Sequence, residues 1–245
     1  MVQLDQKITA GFDIEVSSTL LSFFSPVEDL EAALAEKTDD PVLDGIARVG
    51  QISREVLHGR AQGAPGEGPW ESAGVNGLND GYIEQAAQVY GFQARAAEFA
   101  TDAEVWEALR TRENVAIILP RRLASNQPGP GDRRPGSARR DEMEGEHGPF
   151  DADGFYFQNV DISNGQLPDL YVDLRADVEP GVEAPEPRRL QVIAVLEDNT
   201  TLASSGIQTH ERTLRAILGD TPSRDGAYVK VSEGADVHAV AQAIE

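Results

Sequence analysis

Ser204, Ser205 and His210 lie close together in "LASSGIQTHERTL" (Leu202 to Leu214), with Glu211 beside them. A serine, a histidine and a carboxylate are the parts of nucleophilic hydrolysis, so the spacing has to be tested against what that chemistry needs. A nucleophile elbow carries its serine on a strained strand-to-helix turn with glycines two residues before and after it, G-x-S-x-G. Leu202 and Ala203 stand two residues before the two serines. Triad partners also come as a rule from distant segments. The stretch reads instead as a strand, a loop and a helix, with Thr209 expected as the helix N-cap.

A second concentration of chemistry is "DEMEGEHGPFDAD", with Asp141, Glu142, Glu144, Glu146, His147, Asp151 and Asp153. Oxygen-rich clusters bind Ca²⁺, but the EF-hand order, with Gly at the sixth position and Glu at the twelfth, is absent. A solvated acidic loop is the plainer reading. A hydrolase working through Asp151 and Asp153 would need carboxyls converging about 5–10 Å apart in a pocket. Just before the cluster, Arg133, Arg134, Arg139 and Arg140 form a basic patch without interleaved aromatics, which is poor equipment for stacking on nucleic acid bases. His58, His147, His210 and His238 are scattered and do not form H-E-x-x-H. There is no Walker loop and no G-x-G-x-x-G. Trp70 and Trp106 read as packing residues. The sequence therefore nominates no catalytic, cofactor-binding or metal-binding residue, and no cofactor.

The composition narrows the classes further. The chain has 245 residues, 40% of them hydrophobic, enough for a real core in one large domain or two small ones. A formal net charge of -21 repels phosphate backbones and disfavours nucleic acid as a partner. With no cysteine there are no disulfides, thiolate metal sites or cysteine nucleophiles. The most apolar windows, "VAIIL" and "LQVIAVL", are strand-sized and far short of the roughly 20 residues of a membrane span. The N-terminus lacks the basic and apolar regions of a signal peptide. The chain opens almost at once into a strand and stops at "AVAQAIE" without a terminating Gly or Pro, as a piece of something longer would.

The elements that must position these residues follow from periodicity. "ITAGFDIEV" alternates as a half-buried strand. "SPVEDLEAALAEK" carries Ser25 as N-cap, Pro26 at the first helical position and Glu28 closing a capping box. "IARVGQISREVL" fits either helix or strand. The turn-rich "GRAQGAPGEGPWESAG" marks a boundary near Gly59 to Pro69. "TDAEVWEALR" is a helix capped by Thr101 with Glu104, and "NVAIIL" a buried strand. Arg121 to Pro149 is dense in Pro, Gly and charge and reads as a mobile loop. "GFYFQNV" and "DLYVDLR" read as strands around an Asn164-Gly165 turn, and "RRLQVIAVL" as a buried strand. "THERTLRAILG" is a helix stopped by Gly219; "GAYVKV" a strand, "DVHAVAQAIE" a last helix with Val237, Val240 and Ile244 inward.

Taken in order, "GFDIEV", "SPVEDLEAAL", "FATDAEVWEALRTRENVAII", "DGFYFQNV", "RRLQVIAVLEDNTTLASSGIQTHERTLRAILGD" and "AYVKVSEGADVHAVAQAIE" resemble the large extracytoplasmic, MacB-type periplasmic core domain of FtsX-like ABC transporter permeases. The resemblance spans nearly the whole chain apart from the Arg121 to Pro149 loop. It implies an α/β (α+β) fold in two lobes: residues 1–58 and 188–245 build a porter-like lobe of strand-helix-strand units, and 59–187, containing the loop 121–149, an inserted mixed lobe. It tilts "IARVGQISREVL" towards a strand. It implies a non-catalytic domain on the outer side of the cell membrane, flanked by membrane helices outside this chain. A cytoplasmic ATP-binding subunit would act through those helices, with a permease dimer and an extracytoplasmic protein or lipid as further partners, and no nucleic acid. The motion would serve export of an amphiphile or activation of an outer partner. The alternatives are a soluble acidic enzyme using a carboxylate pair and a ligand-binding module.

Overall fold

A computed structural model describes residues 10–16, 30–36, 40–62, 69–123, 156–177, 185–197, 206–224 and 226–244. The fold is mixed α/β, with ten strands in one sheet and five α-helices among these residues. In chain order they are β1 (Ile14–Val16), α1 (Leu30–Glu36), β2 (Ile46–Gln62), β3 (Glu71–Leu78), α2 (Asp80–Ala86), β4 (Phe92–Ala96), α3 (Asp102–Thr111) and β5 (Val115–Ile118). Then come β6 (Gln166–Leu167), β7 (Leu170–Arg175), β8 (Arg188–Leu196), β9 (Ile207–His210), α4 (Glu211–Leu218), β10 (Gly226–Val231) and α5 (Val237–Ile244).

The ambiguous "IARVGQISREVL" is the first part of β2, the longest strand at 17 residues. Its β-branched residues suit a pleated surface buried between neighbours, and that decides against the helix. One edge of β2 pairs with β3 from Ile52 to Gly59. The other edge takes β10 along Ile46–Ile52 and then β7 along His58–Gln62. From β3 the path runs parallel to β9, antiparallel to β5, parallel to β8 and antiparallel to β7. Because β7 also pairs with β2, these strands close a ring.

The two faces of the ring have different cores. Leu57, Val75, Ile118, Val172 and Leu190 point to one side and pack with Leu214 and Ile217 of α4 and with Phe157. Ile52, Leu78, Ile117 and Ile193 point to the other side, beneath α2 and α3, with Ile83, Val105, Trp106 and Leu109. Trp106 is fixed there by an indole N–H donated to the Tyr90 carbonyl at 3.2 Å and by the Phe92 ring, 5.0 Å away between centroids. A third core joins residues from near both ends of the sequence: Leu30 and Val49 with Ala227, Val229, Val231 and Val240.

Local signals hold where tertiary contacts agree with them. Thr101 caps α3 with a complete capping box to Glu104, and Gly219 ends α4 in the left-handed conformation at φ 76°. Four expectations need correction. The strand through "ITAGFDIEV" is confined among the described residues to Ile14–Val16, because Ala10 (φ 53°) and Gly11 (φ 77°) form a turn that alternation cannot reveal. "GFYFQNV" supplies only an isolated bridge, Leu123 to Phe157, since Asn159 at φ 59° breaks the extended run. Val237 is 42% exposed, and Val240 is the buried residue of α5. The cap of α4 is His210 rather than Thr209. The Ser25 capping box and the loop 124–149 lie outside the described residues.

Candidate functional site

The strand-to-helix junction singled out by the sequence is a corner where β9 passes directly into α4. Thr209 lies in β9 and donates its hydroxyl to the Val115 carbonyl at 2.8 Å, which ties β9 to β5 and leaves no hydroxyl for a cap. His210 takes the cap: its Nδ1 accepts the Arg212 backbone N–H at 3.1 Å. With Nδ1 acting as acceptor, the ring proton sits on Nε2, which faces Asp80 Oδ1 at 3.3 Å. Burial is the main cause holding the imidazole below its ordinary pKa, and the Arg212 charge adds to it. The hydrogen bond and charge of Asp80 oppose both. Each ring nitrogen of this neutral histidine is thus occupied in structure. The neighbouring Asn76 amide, fully buried, donates to Gln208 Oε1 at 2.9 Å. The corner is a polar clasp between strands and helices. Ser204, Ser205, Asp151, Asp153 and the remaining acidic-cluster residues lie outside the described residues, as do Arg133, Arg134, Arg139 and Arg140.

The other histidines stay apart. His238 Nε2 contacts the Gln242 amide at 3.1 Å. His58 Nε2 lies 3.0 Å from Asp177 Oδ1. Among the described residues no three His, Asp or Glu side chains converge as a metal site would require.

Sequence reasoning missed a second cluster. The ring face that α2 and α3 cover near Ile52 continues uncovered along the far half of β2 onto β7 and β8. There Arg60 stands opposite Asp173, and Asp173 opposite Arg189. Asp173 has a side chain only 5% exposed and accepts from Arg60 Nη2 and Arg189 Nε, each at 3.0 Å. Burial pushes its carboxyl pKa up, and the hydrogen bonds and charges of Arg189 and Arg60 outweigh that and hold it below the ordinary value. The guanidinium carbons of Arg60 and Arg175 lie 4.5 and 4.2 Å from the centroid of Trp70. Trp70 is therefore a platform for two cations on the sheet surface. A signal was present: Asp173 interrupts the apolar run "LYVDL", and period two puts it on one face with Arg175. Its partners on β2 and β8 needed the register.

Two concave regions complete the survey. One, of about 330 Å³, has Leu34, Leu43, Ile46 and Val49 as apolar lining and Glu31, Asp40 and Asp44 as polar lining. The other, of about 430 Å³, lies against Ala61, Glu71, Tyr156 and Leu170. Neither places a titratable pair in a position to act as acid and base.

No protein-family profile matches the chain, and no curated protein matches it by sequence. Solved structures do resemble it. The chain is similar to the extracellular domain of the noncanonic ABC-type transporter YknZ from Gram-positive bacteria, at 13% identity over 83% of this chain and 81% of that one, with a TM-score of 0.41. It is also similar to the periplasmic region of MacB from Actinobacillus actinomycetemcomitans, at 10% identity over 87% of this chain and 70% of that one, with a TM-score of 0.43. No helix among the described residues is long and apolar enough to cross a membrane.

Proposed function

We propose that the chain is the extracytoplasmic domain of an FtsX-like ABC transporter permease, acting as a mechanical relay rather than a catalyst. ATP hydrolysed by a cytoplasmic subunit would move membrane helices outside this chain. Those helices, in a dimeric permease, would move this domain to expel an amphiphile or to activate an outer protein. Support comes first from the order of the resembling sequence segments.

The observation that carries the reading is the position of β10. It lies between β1 and β2, antiparallel to both, so segments from the two ends of the sequence share one patch of sheet and one core. A relay needs such a unit, because displacement at either flank then reaches the same rigid body. This arrangement favours a porter-like lobe made of 1–58 and 188–245 around an inserted 59–187, although β2 runs unbroken through the boundary and couples the two.

Absence of cysteine offers a direct test. Val42 is 37% exposed, and Val42→Cys in the full-length gene product gives one added thiol. A membrane-impermeant maleimide applied to intact spheroplasts should label that thiol, above the unsubstituted background, in the membrane fraction. Labelling only after lysis, or a labelled protein in the soluble fraction, would sink the proposal.

A further inference from the structure

The uncovered face of β2, β7 and β8 has a composition unlike the rest of the molecule. Register places Arg54, Val56, His58 and Arg60 of β2 on one side with Asp173 and Arg175 of β7 and Arg189 of β8. Four arginines and Trp70 meet two aspartates, Asp173 and Asp177, on a chain whose net charge is -21. Val56 is 47% exposed in the middle of this face, opposite Gly74, which offers no side chain to cover it.

Two further facts distinguish the face from a saturated ion-pair network. The more buried aspartate is already satisfied by Arg60 and Arg189. Arg175 contacts the Trp70 ring, and its buried Nε has no hydrogen-bond partner. A guanidinium stacked flat on an indole keeps its in-plane N–H fork free for a carboxylate, which is the geometry that makes Arg and Trp the dominant residues at protein interfaces.

We infer that this face is a docking surface for an acidic segment of a protein partner, with carboxylates received by Arg175 and the Arg60–Arg189 pair around Trp70. Charge complementarity selects the occupant. The surface is an open strand face about 20 Å long between Arg54 and Arg60, with cations at alternate residues. It suits an extended chain carrying acids at alternate positions better than a compact small molecule. An anionic bilayer fits it less well, because the whole acidic surface would lie against the membrane. A short docked segment is screened from the remote charges beyond a Debye length of about 8 Å. The inference goes beyond the transporter reading and stands whether or not the chain belongs to a permease.

The test uses the 245-residue chain and a fluorescein-labelled (Glu-Ser)5 peptide, followed by anisotropy at about 0.15 M salt. Saturable binding is expected, weakened at least about fivefold by Arg175→Ala and by Trp70→Ala. Arg175→Lys, which keeps the charge but loses the fork, should also weaken it. Arg112→Ala, at a distant cation–ring contact with Phe99, should leave it unchanged. Circular dichroism checks each fold, and Arg175→Lys decides the case if Trp70→Ala unfolds. The inference is overturned by absence of binding, by equal binding of Arg175→Ala or Arg175→Lys, or by phosphatidylglycerol vesicles outcompeting the peptide at the same residues.

Discussion

His210 and Asp80, 130 positions apart in sequence, meet through Nε2 and Oδ1 at 3.3 Å, while the other ring nitrogen of His210 caps α4. One neutral imidazole thus fastens the start of α4 to the start of α2 and closes the corner at the end of β9. Protonation would add a hydrogen to Nδ1 and remove the acceptor that the Arg212 N–H uses. The clasp therefore depends on the histidine staying neutral.

The pH dependence has a definite sign. Burial above all, then the Arg212 charge, lowers the folded-state pKa of His210 below its ordinary value of 6.5. The unfolded chain then binds the proton more readily than the folded one. His210 contributes its stability fully above about pH 6.5 and loses it as the pH falls through the lowered folded value. His210→Asn retains a cap acceptor that does not titrate. Between about pH 7.5 and pH 5 the wild type should lose more unfolding free energy in urea than His210→Asn does. Equal losses would remove His210 from the account.

Asp173 sets a second expectation. Removing one partner of a buried ion pair strands the other charges, at a typical cost of about 3–5 kcal/mol. The half-exposed Arg189 recovers some hydration, so Asp173→Ala should cost about 3 kcal/mol, and Asp173→Asn somewhat less. Because the folded pKa is lowered, this contribution is present above the ordinary carboxylate value of 3.8 and lost as the pH falls through the folded value. Urea titration at neutral pH gives the first quantity, and acid unfolding of wild type against Asp173→Asn gives the second. Replacement at under about 1 kcal/mol would mean that the arginines find other partners.

The contrast between α3 and Asp173 explains what a sequence discloses. Thr101 and Glu104 are three residues apart and satisfy each other's donors locally, so the cap is legible before any fold is known. The β-branched runs of β5, β8 and β10 are legible for the same reason: period and composition are local. Asp173 and Arg60 are 113 positions apart, and only the pairing of β2 with β7 joins them. Thr209 and His210 show a subtler limit. Both are plausible caps from sequence, but β9 extends to His210 because the Thr209 hydroxyl is drawn to Val115, a contact 94 positions away. The cationic face was hidden in the same way, with one strand's charges looking like an ordinary solvated edge until three strands were placed side by side.

The α3 cap makes the local argument quantitative. Thr101 Oγ1 accepts the Glu104 N–H at 3.3 Å, and Glu104 Oε2 accepts the N–H groups of Ala100 and Thr101 at 2.6 and 3.1 Å. Thr101→Ala should cost about 1 kcal/mol, and Thr101→Asp should recover most of it. Failure of Asp to rescue in a thermal melt would assign the loss to something other than the cap.

Gly81 tests how β2 holds α2. A Cβ at this position would collide with the Val49 carbonyl oxygen, a backbone atom already engaged in the sheet and near the Asn79 amide. Asn79 adds to the constraint, since its Oδ1 caps α2 through the Tyr82 N–H at 2.9 Å and accepts the Gln51 N–H at 2.8 Å. The helix cannot retreat from β2 without breaking both bonds. Helix propensity alone predicts that Gly81→Ala stabilises by about 1 kcal/mol. Overpacking against fixed backbone predicts the opposite sign, at about 1–3 kcal/mol. Chemical denaturation should show destabilisation, and Asn79→Ala should reduce it in the double variant by letting α2 shift. A stabilised Gly81→Ala would mean that the contact between α2 and β2 is looser than Asn79 implies.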